Sequence, residues 1–168
     1  MALSEDLRRR KMRSLETGHP LLAASALEVL ELDSGCARVR MPIEVNANHI
    51  GTFYAGSLVV LAEVTGAALF SGSFDSKRFY PIVKDIQTKF LRPATTDVTA
   101  EARLGESELD RLREQAVQDG KVDHRLELEL KDAGGETVAI SQSVFQLRAR
   151  SRGESGSSEQ GRRDRAGG

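Results

Sequence analysis

Between residues 51 and 74 only one side chain, Glu63, carries a formal charge, and residues 57–70 around it are rich in Leu, Val and Ala. That stretch is apolar on nearly every helical face, and a helix without a polar side has to be covered on every side. Ser71, Gly72 and Ser73 follow it and are expected to break the helix. The rest of the chain must supply the cover.

Residues 24–43 change to the period of strands. Leu27, Val29, Leu30 and Leu32 lead into a turn at Asp33, Ser34 and Gly35; then Ala37, Val39 and Met41 alternate with Arg38 and Arg40 as far as Pro42. An antiparallel hairpin with one face on the core gives this pattern. Beyond the helix, Ile82, Ile86 and Phe90 are expected on one face of a strand over 80–91, ended by Arg92-Pro93. Val98, Ala100, Ala102 and Leu104 form the next alternating run. Residues 122–131 carry the cleanest period-two pattern in the chain, and Gly134-Gly135 turns it back into 137–147. Residues 106–118, with Leu109, Leu112 and Val117 among charges, read as a surface helix. The expected class is α+β: an antiparallel sheet of about five to six strands wrapped around the central helix. The outer side of that helix is apolar too, so a second copy, packed as a dimer, is expected to cover it.

The ends differ from this middle. Glu5 and Asp6 precede Arg8, Arg9, Arg10 and Lys11, which suits a helix dipole, with Leu3, Leu7 and Met12 or Leu15 as an apolar stripe. The expected organisation is a peripheral helix in 1–20, one domain over 21–150, and a disordered Gly/Ser/Arg/Glu tail over 151–168. A formal net charge of −1 argues against nucleic acid as a partner. One cysteine, Cys36, excludes an internal disulfide, and His19, His49 and His124 show no metal-ligand spacing. The N-terminus is charged, without the apolar core of a signal peptide, and runs such as 56–61 fall short of the roughly twenty residues that span a bilayer. A cytoplasmic protein without stable membrane insertion is expected.

Chemistry concentrates around Glu63. Burial raises a carboxyl pKa unless a cation or donors compensate, and no base lies within a helical turn of it. Just upstream, Gly51, Ala55 and Gly56 are small and let a ligand approach the backbone. The N–H groups of Ala55, Gly56 and Ser57 fall at the helix N-terminus, where the dipole favours an anion such as a developing oxyanion. His49 has neither a nucleophile elbow nor an Asp at a catalytic spacing, and His124 and Cys36 read as core residues.

Asn48-x-x-Gly51-Thr52-x-Tyr54-Ala55-Gly56, followed by Leu61-Ala62-Glu63, resembles the signature of the hotdog-fold thioesterases. There, Asn-x-x-Gly-Thr-x-His-Gly-Gly leads into Leu-Ala-Asp or Leu-Ala-Glu. The pattern is most similar to the PaaI-like branch, and within it to the DUF4442 group typified by the C-terminal domain of YiiD. With Phe90 and Arg92-Pro93-Ala94 it covers residues 24–148. The resemblance implies a dimeric hotdog fold that hydrolyses acyl-CoA or acyl-carrier thioesters, without metal or redox cofactor, coenzyme A being part of the substrate. It implies Glu63 as general base or nucleophile, the Ala55 and Gly56 N–H groups as oxyanion donors, and Asn48 as the residue that positions water or carbonyl. Gly51, Thr52 and Tyr54 would line the substrate site, and the carboxylate and the donors would come from opposite subunits of a dimer or tetramer. Lys84, Lys89 and Arg92 are candidates for coenzyme A phosphates. Three departures stand out: Tyr54 replaces His, Ala55 replaces Gly, and Val83 stands where some relatives place a hydroxyl. The alternative is a non-catalytic hotdog module that binds acyl-CoA or fatty acid.

Overall fold

The computed structural model describes residues 3–150; the expected tail lies outside the described residues. Helix α1 (Glu5–Thr17) is capped by Ser4, whose hydroxyl accepts from the Leu7 N–H, and has Glu5 and Asp6 in its first turn. Leu3, Met12 and Leu15 pack on the core, whereas Leu7, expected in the same stripe, is 36% exposed. Arg8 pairs with Asp33, the Lys11 ammonium donates to the Ser71 carbonyl, and the Val29 N–H donates to Glu16 Oε1 at 2.9 Å. A short helix α2 (Pro20–Ala24) follows.

Strands β1 (Glu28–Asp33) and β2 (Cys36–Met41) form the expected hairpin. After the short α3 (Ile43–Asn46) comes the core helix α4 (Ala55–Ser73). Then follow β3 (Phe79–Phe90), β4 (Val98–Arg103), α5 (Glu106–Asp119), β5 (Lys121–Asp132) and β6 (Thr137–Ala149). The six strands form one antiparallel sheet in the order β1-β2-β4-β5-β6-β3, and α4 packs along its apolar face. On α5, Leu109, Leu112 and Ala116 are buried, while Val117 is 56% exposed: the buried stripe runs at helical spacing through the alanine.

Three contacts fix how α4 sits. A Cβ on Gly66 would lie 2.3 Å from the Phe145 ring of β6 and 3.2 Å from Leu126 of β5, so only glycine lets helix and sheet approach this closely. Phe70, one turn on, stacks on Phe145 with ring centroids 5.3 Å apart. A Cβ on Gly72 would lie 2.7 Å from the Asp33 carbonyl of β1. This last contact explains why the helix does not break at Ser71-Gly72-Ser73. Glycine there is a close-packing residue, and Ser73 Oγ donates to the Leu69 carbonyl at 2.6 Å while accepting from the Gly35 N–H at 3.0 Å. Eleven residues of α4 are buried, so a helix long and apolar enough to cross a membrane is here a core helix.

β3 departs from the sequence pattern. Val83 pairs with Phe145 and Asp85 with Val144, so Lys84 is an extra, bulged residue. The bulge reverses which residues face the helix. Val83 faces in before it and Ile86 after it, while Ile82, expected on the face of Ile86, is 36% exposed. β3 is also an edge: its only strand partner among the described residues is β6.

Substituting Gly66 tests this packing. Alanine gains about 1 kcal/mol of helix propensity, but overpacking against the Phe145 ring costs about 1–3 kcal/mol. Gly66→Ala is expected to lower Tm by a few degrees in thermal denaturation, and a raised Tm would show that the helix can lift off the sheet freely.

Candidate active site

The loop before α4 is built around Asn48. Its Oδ1 accepts from the N–H groups of Ile50 at 3.0 Å and Thr52 at 3.1 Å, and its Nδ2 donates to Thr52 Oγ1 at 2.9 Å. Its own N–H donates to the Thr52 carbonyl at 2.7 Å, and its carbonyl accepts from the Gly51 N–H at 3.1 Å. Gly51, at φ +79°, takes the left-handed conformation that closes this turn. Asn48 is thus engaged in shaping the loop, with both ends of its amide used inside it.

Two further residues, silent in the sequence, hold the loop to the body. Asn46 is buried; its Nδ2 donates to the carbonyls of Ser25 and Pro42, each at 2.8 Å, and its carbonyl accepts from the Tyr54 N–H at 2.8 Å. The Phe53 N–H donates to the Ala94 carbonyl at 2.8 Å. An Asn between Val45 and Ala47 carries no periodic signal, so only its buried hydrogen bonds reveal it.

Helix α4 opens with two unengaged donors. The N–H groups of Ala55 and Gly56 have no acceptor among the described residues, whereas the Ser57 N–H, expected with them, donates to the Tyr54 carbonyl at 3.0 Å. The Tyr54 ring lies over Gly56, where a Cβ would meet it at 2.5 Å; the residue in place of the expected histidine therefore roofs the helix start.

Glu63 lies two turns further along, on the same side as Gly56. It is partly buried, and no hydrogen bond or ion pair reaches its carboxyl among the described residues. Burial alone pushes its pKa above the ordinary glutamate value. Val59, Val60, Glu63, Ala67 and Ser71 form the half-open side of a helix otherwise enclosed. At a rise of about 1.5 Å per residue, Gly56 and Glu63 are about 10 Å apart along the axis. A thioester carbonyl in contact with the Gly56 N–H therefore lies beyond the reach of the Glu63 carboxylate of the same chain.

Other titratable groups have structural partners. His124 is half-buried, with Nδ1 3.1 Å from Glu108 Oε1 and its ring beside Phe70; desolvation lowers its pKa. Burial pushes the Cys36 thiol up to about 11, so it stays protonated and unreactive. Lys84 pairs with Asp123 at 2.6 Å and Arg92 with Glu136 at 2.7 Å, which neutralises two of the three cations considered for phosphates. His49 is exposed on the loop. No cluster of three or more metal-ligating side chains exists among the described residues.

The family model for the domain of unknown function DUF4442 matches residues 11–146. The chain belongs to the DUF4442 family. A protein of unknown function from Pseudomonas aeruginosa, described as a probable thioesterase, is 43% identical. The match covers 89% of this chain and 99% of that one, with a TM-score of 0.82. A thioesterase from Haemophilus influenzae (17% identity, 82% and 87% coverage, TM-score 0.64) shares the fold. So does a protein of unknown function from Chlorobaculum tepidum (15% identity, 87% and 96% coverage, TM-score 0.75). Comparison with curated proteins finds no match. These likenesses place the DUF4442 chain among the hotdog-fold thioesterases, as its loop and helix motif implied.

The uncompensated carboxyl of Glu63 has a signature in stability. With its pKa raised in the folded state, the folded chain binds more protons than the unfolded one between the two pKa values, so stability falls as pH rises through that window. Glu63→Gln is expected to raise Tm at neutral pH and to leave it unchanged near pH 3 or below, where wild type is neutral in both states. Thermal melts of both proteins across pH check this; a neutral-pH Tm below wild type would reveal a compensating partner.

Proposed function

We propose that the chain is a thioester hydrolase acting on acyl-CoA or acyl-carrier thioesters as a homodimer. The observation that carries this reading is the pairing on one helix side of an unpartnered carboxylate, Glu63, with two unengaged donors at the helix start, Ala55 and Gly56. Their separation supports a site shared by two copies, in which the helix start of one subunit meets the Glu63 of the other. The half-open side of α4 and the unpaired edge of β3 support the same assembly. The 43% identity to the probable thioesterase from Pseudomonas aeruginosa supports the reaction class.

Glu63 takes a proton from water as the water oxygen attacks the thioester carbonyl. The negative charge that develops on the carbonyl oxygen is received by the Ala55 and Gly56 N–H groups, helped by the dipole of α4. The C–S bond then breaks, the thiolate leaves and takes a proton, and a carboxylic acid remains. A raised pKa suits a general base, because the base strength gained is still available near neutral pH. Gly51, Thr52 and Tyr54 border the approach to the donors, and Asn48 holds the loop that carries them. The reaction needs no metal or redox cofactor, and the chain works in the cytoplasm.

A binding module remains the second reading, favoured by the Tyr54 ring over Gly56, which narrows the approach to one donor. Thiol release from a panel of acyl-CoAs separates the two. Wild type is expected to turn over, with Glu63→Gln slower by about 10²–10⁴-fold and the wild-type rate falling below the raised pKa of Glu63. Binding of acyl-CoA without thiol release above the Glu63→Gln background establishes the module instead. Sedimentation checks the assembly: a dimer or a tetramer of such dimers is expected, and a stable folded monomer would overturn the shared site.

A further inference from the structure

Three hydroxyl side chains interrupt the apolar face of the sheet beneath α4. Ser141 and Ser143 of β6 are buried among inward-facing residues, and Thr88 of β3 donates its hydroxyl to Ser141 Oγ at 3.2 Å. Ser143 is 4% exposed, yet its Oγ has no hydrogen-bond partner among the described residues. An unengaged buried hydroxyl costs stability.

The contacts of α4 place Glu63 above this group. Gly66 rests on Phe145 and Leu126, and Phe145 stands two residues after Ser143 on the same face of β6. The C-terminal end of α4 lies toward the C-terminal end of β6, because Phe74 packs on Phe79, which pairs with Ala149. Moving back from Gly66 to Glu63, about 4.5 Å along the helix, therefore parallels moving back from Phe145 to Ser143, about 6.6 Å along the strand. The rotation of the helix agrees. Gly72 faces β1, and Glu63, nine residues earlier and so about two and a half turns away, faces the opposite side, toward β6 and β3. The β3 bulge completes the group by turning Ile86 and Thr88, instead of Asp85 and Gln87, toward the helix.

Resting on the hydrolase reading, we propose that Ser143, seconded by Ser141 and Thr88, is the positioning residue that holds the attacking water against the Glu63 carboxylate. It supplies from β6 the hydroxyl that Val83 does not supply from β3. No other charged group faces Glu63 from the strands beneath it: the inward residues at that level are Leu126 and Leu128 on β5, Ile86 and Thr88 on β3, and Ser141 and Ser143 on β6. On β2 and β4 they are Val39, Met41, Val98 and Ala100, and the His124 side chain of β5 is held by Glu108.

Two readouts on Ser143→Ala test this. In a carbon-13 NMR titration of the Glu63 carboxyl, loss of the bridged water is expected to raise the midpoint, and Ser143→Thr, which keeps a hydroxyl, is expected to restore it. In thiol release, Ser143→Ala is expected to lower kcat about ten- to a hundredfold with KM unchanged. A Glu63 midpoint identical in wild type and Ser143→Ala overturns the proposal, whatever the turnover. A midpoint that moves in a protein without thiol release leaves the hydroxyl–carboxylate pairing standing and removes the hydrolase reading instead. Removal of a merely structural, unpartnered hydroxyl would leave both readouts unmoved and Tm equal or higher.

Discussion

The distance between one helix and one sheet governs this molecule, and Gly66 sets it. Side chains at the other helix positions that meet the sheet would hold the axis further out; at Gly66 the Phe145 ring comes directly against the helix backbone. That approach lets Phe70 stack on the same ring and brings the Gly72 turn against β1. A helix seated at two well-separated glycines has little freedom to rotate or slide. The groups proposed to act on the thioester carbonyl hang on it: the Ala55 and Gly56 donors at its start and the Glu63 carboxyl in its middle. Rigid seating of this kind keeps reacting groups within the tolerances that catalysis demands.

Fixing the helix also fixes what is left open. Its arc from Val59 through Glu63 to Ser71 is the part left only half-buried. A carboxylate on that arc is partly desolvated by its own fold without being neutralised by it. Stability is given up at Glu63, and again at the unpartnered hydroxyl of Ser143. Such losses in neighbouring positions are what the proposed reactive site would leave behind in a core that otherwise obeys close packing.

Much of this was legible in the sequence because its causes are periodic or local. Alternation in 122–131 and 137–147 gave two long strands, and the lone charge in an apolar helix marked Glu63. The features that escaped depend on partners distant in sequence. The length of α4 was underestimated because Ser71-Gly72-Ser73 reads as a breaker until Asp33 and Gly35 are seen packed against it. The facing of Ile82 was misjudged because a bulge is a property of the pair β3–β6 and leaves no mark in β3 alone. Asn46 was invisible for a similar reason: its value lies in carbonyls of Ser25 and Pro42. The sequence reads the Asn48 loop as a ligand site, and the structure adds that the hydrogen bonds of Asn48 lie within the loop itself.

The strand order has a consequence for how the chain comes to be folded. β3 follows α4 directly in sequence but lies at the margin of the sheet, joined among the described residues only to β6, the last of their strands. The Phe145 ring against which Gly66 rests is synthesised about eighty residues after it, so the contact closes late and over a long loop. During synthesis α4 therefore emerges with only α1, β1 and β2 already made to cover it, as a segment with the length and hydropathy of a membrane span. Nascent chains in that interval are the species most exposed to aggregation or misdirected insertion. The charge of Glu63 at the middle of that segment opposes insertion in the interval, since a carboxylate at the centre of a bilayer is costly.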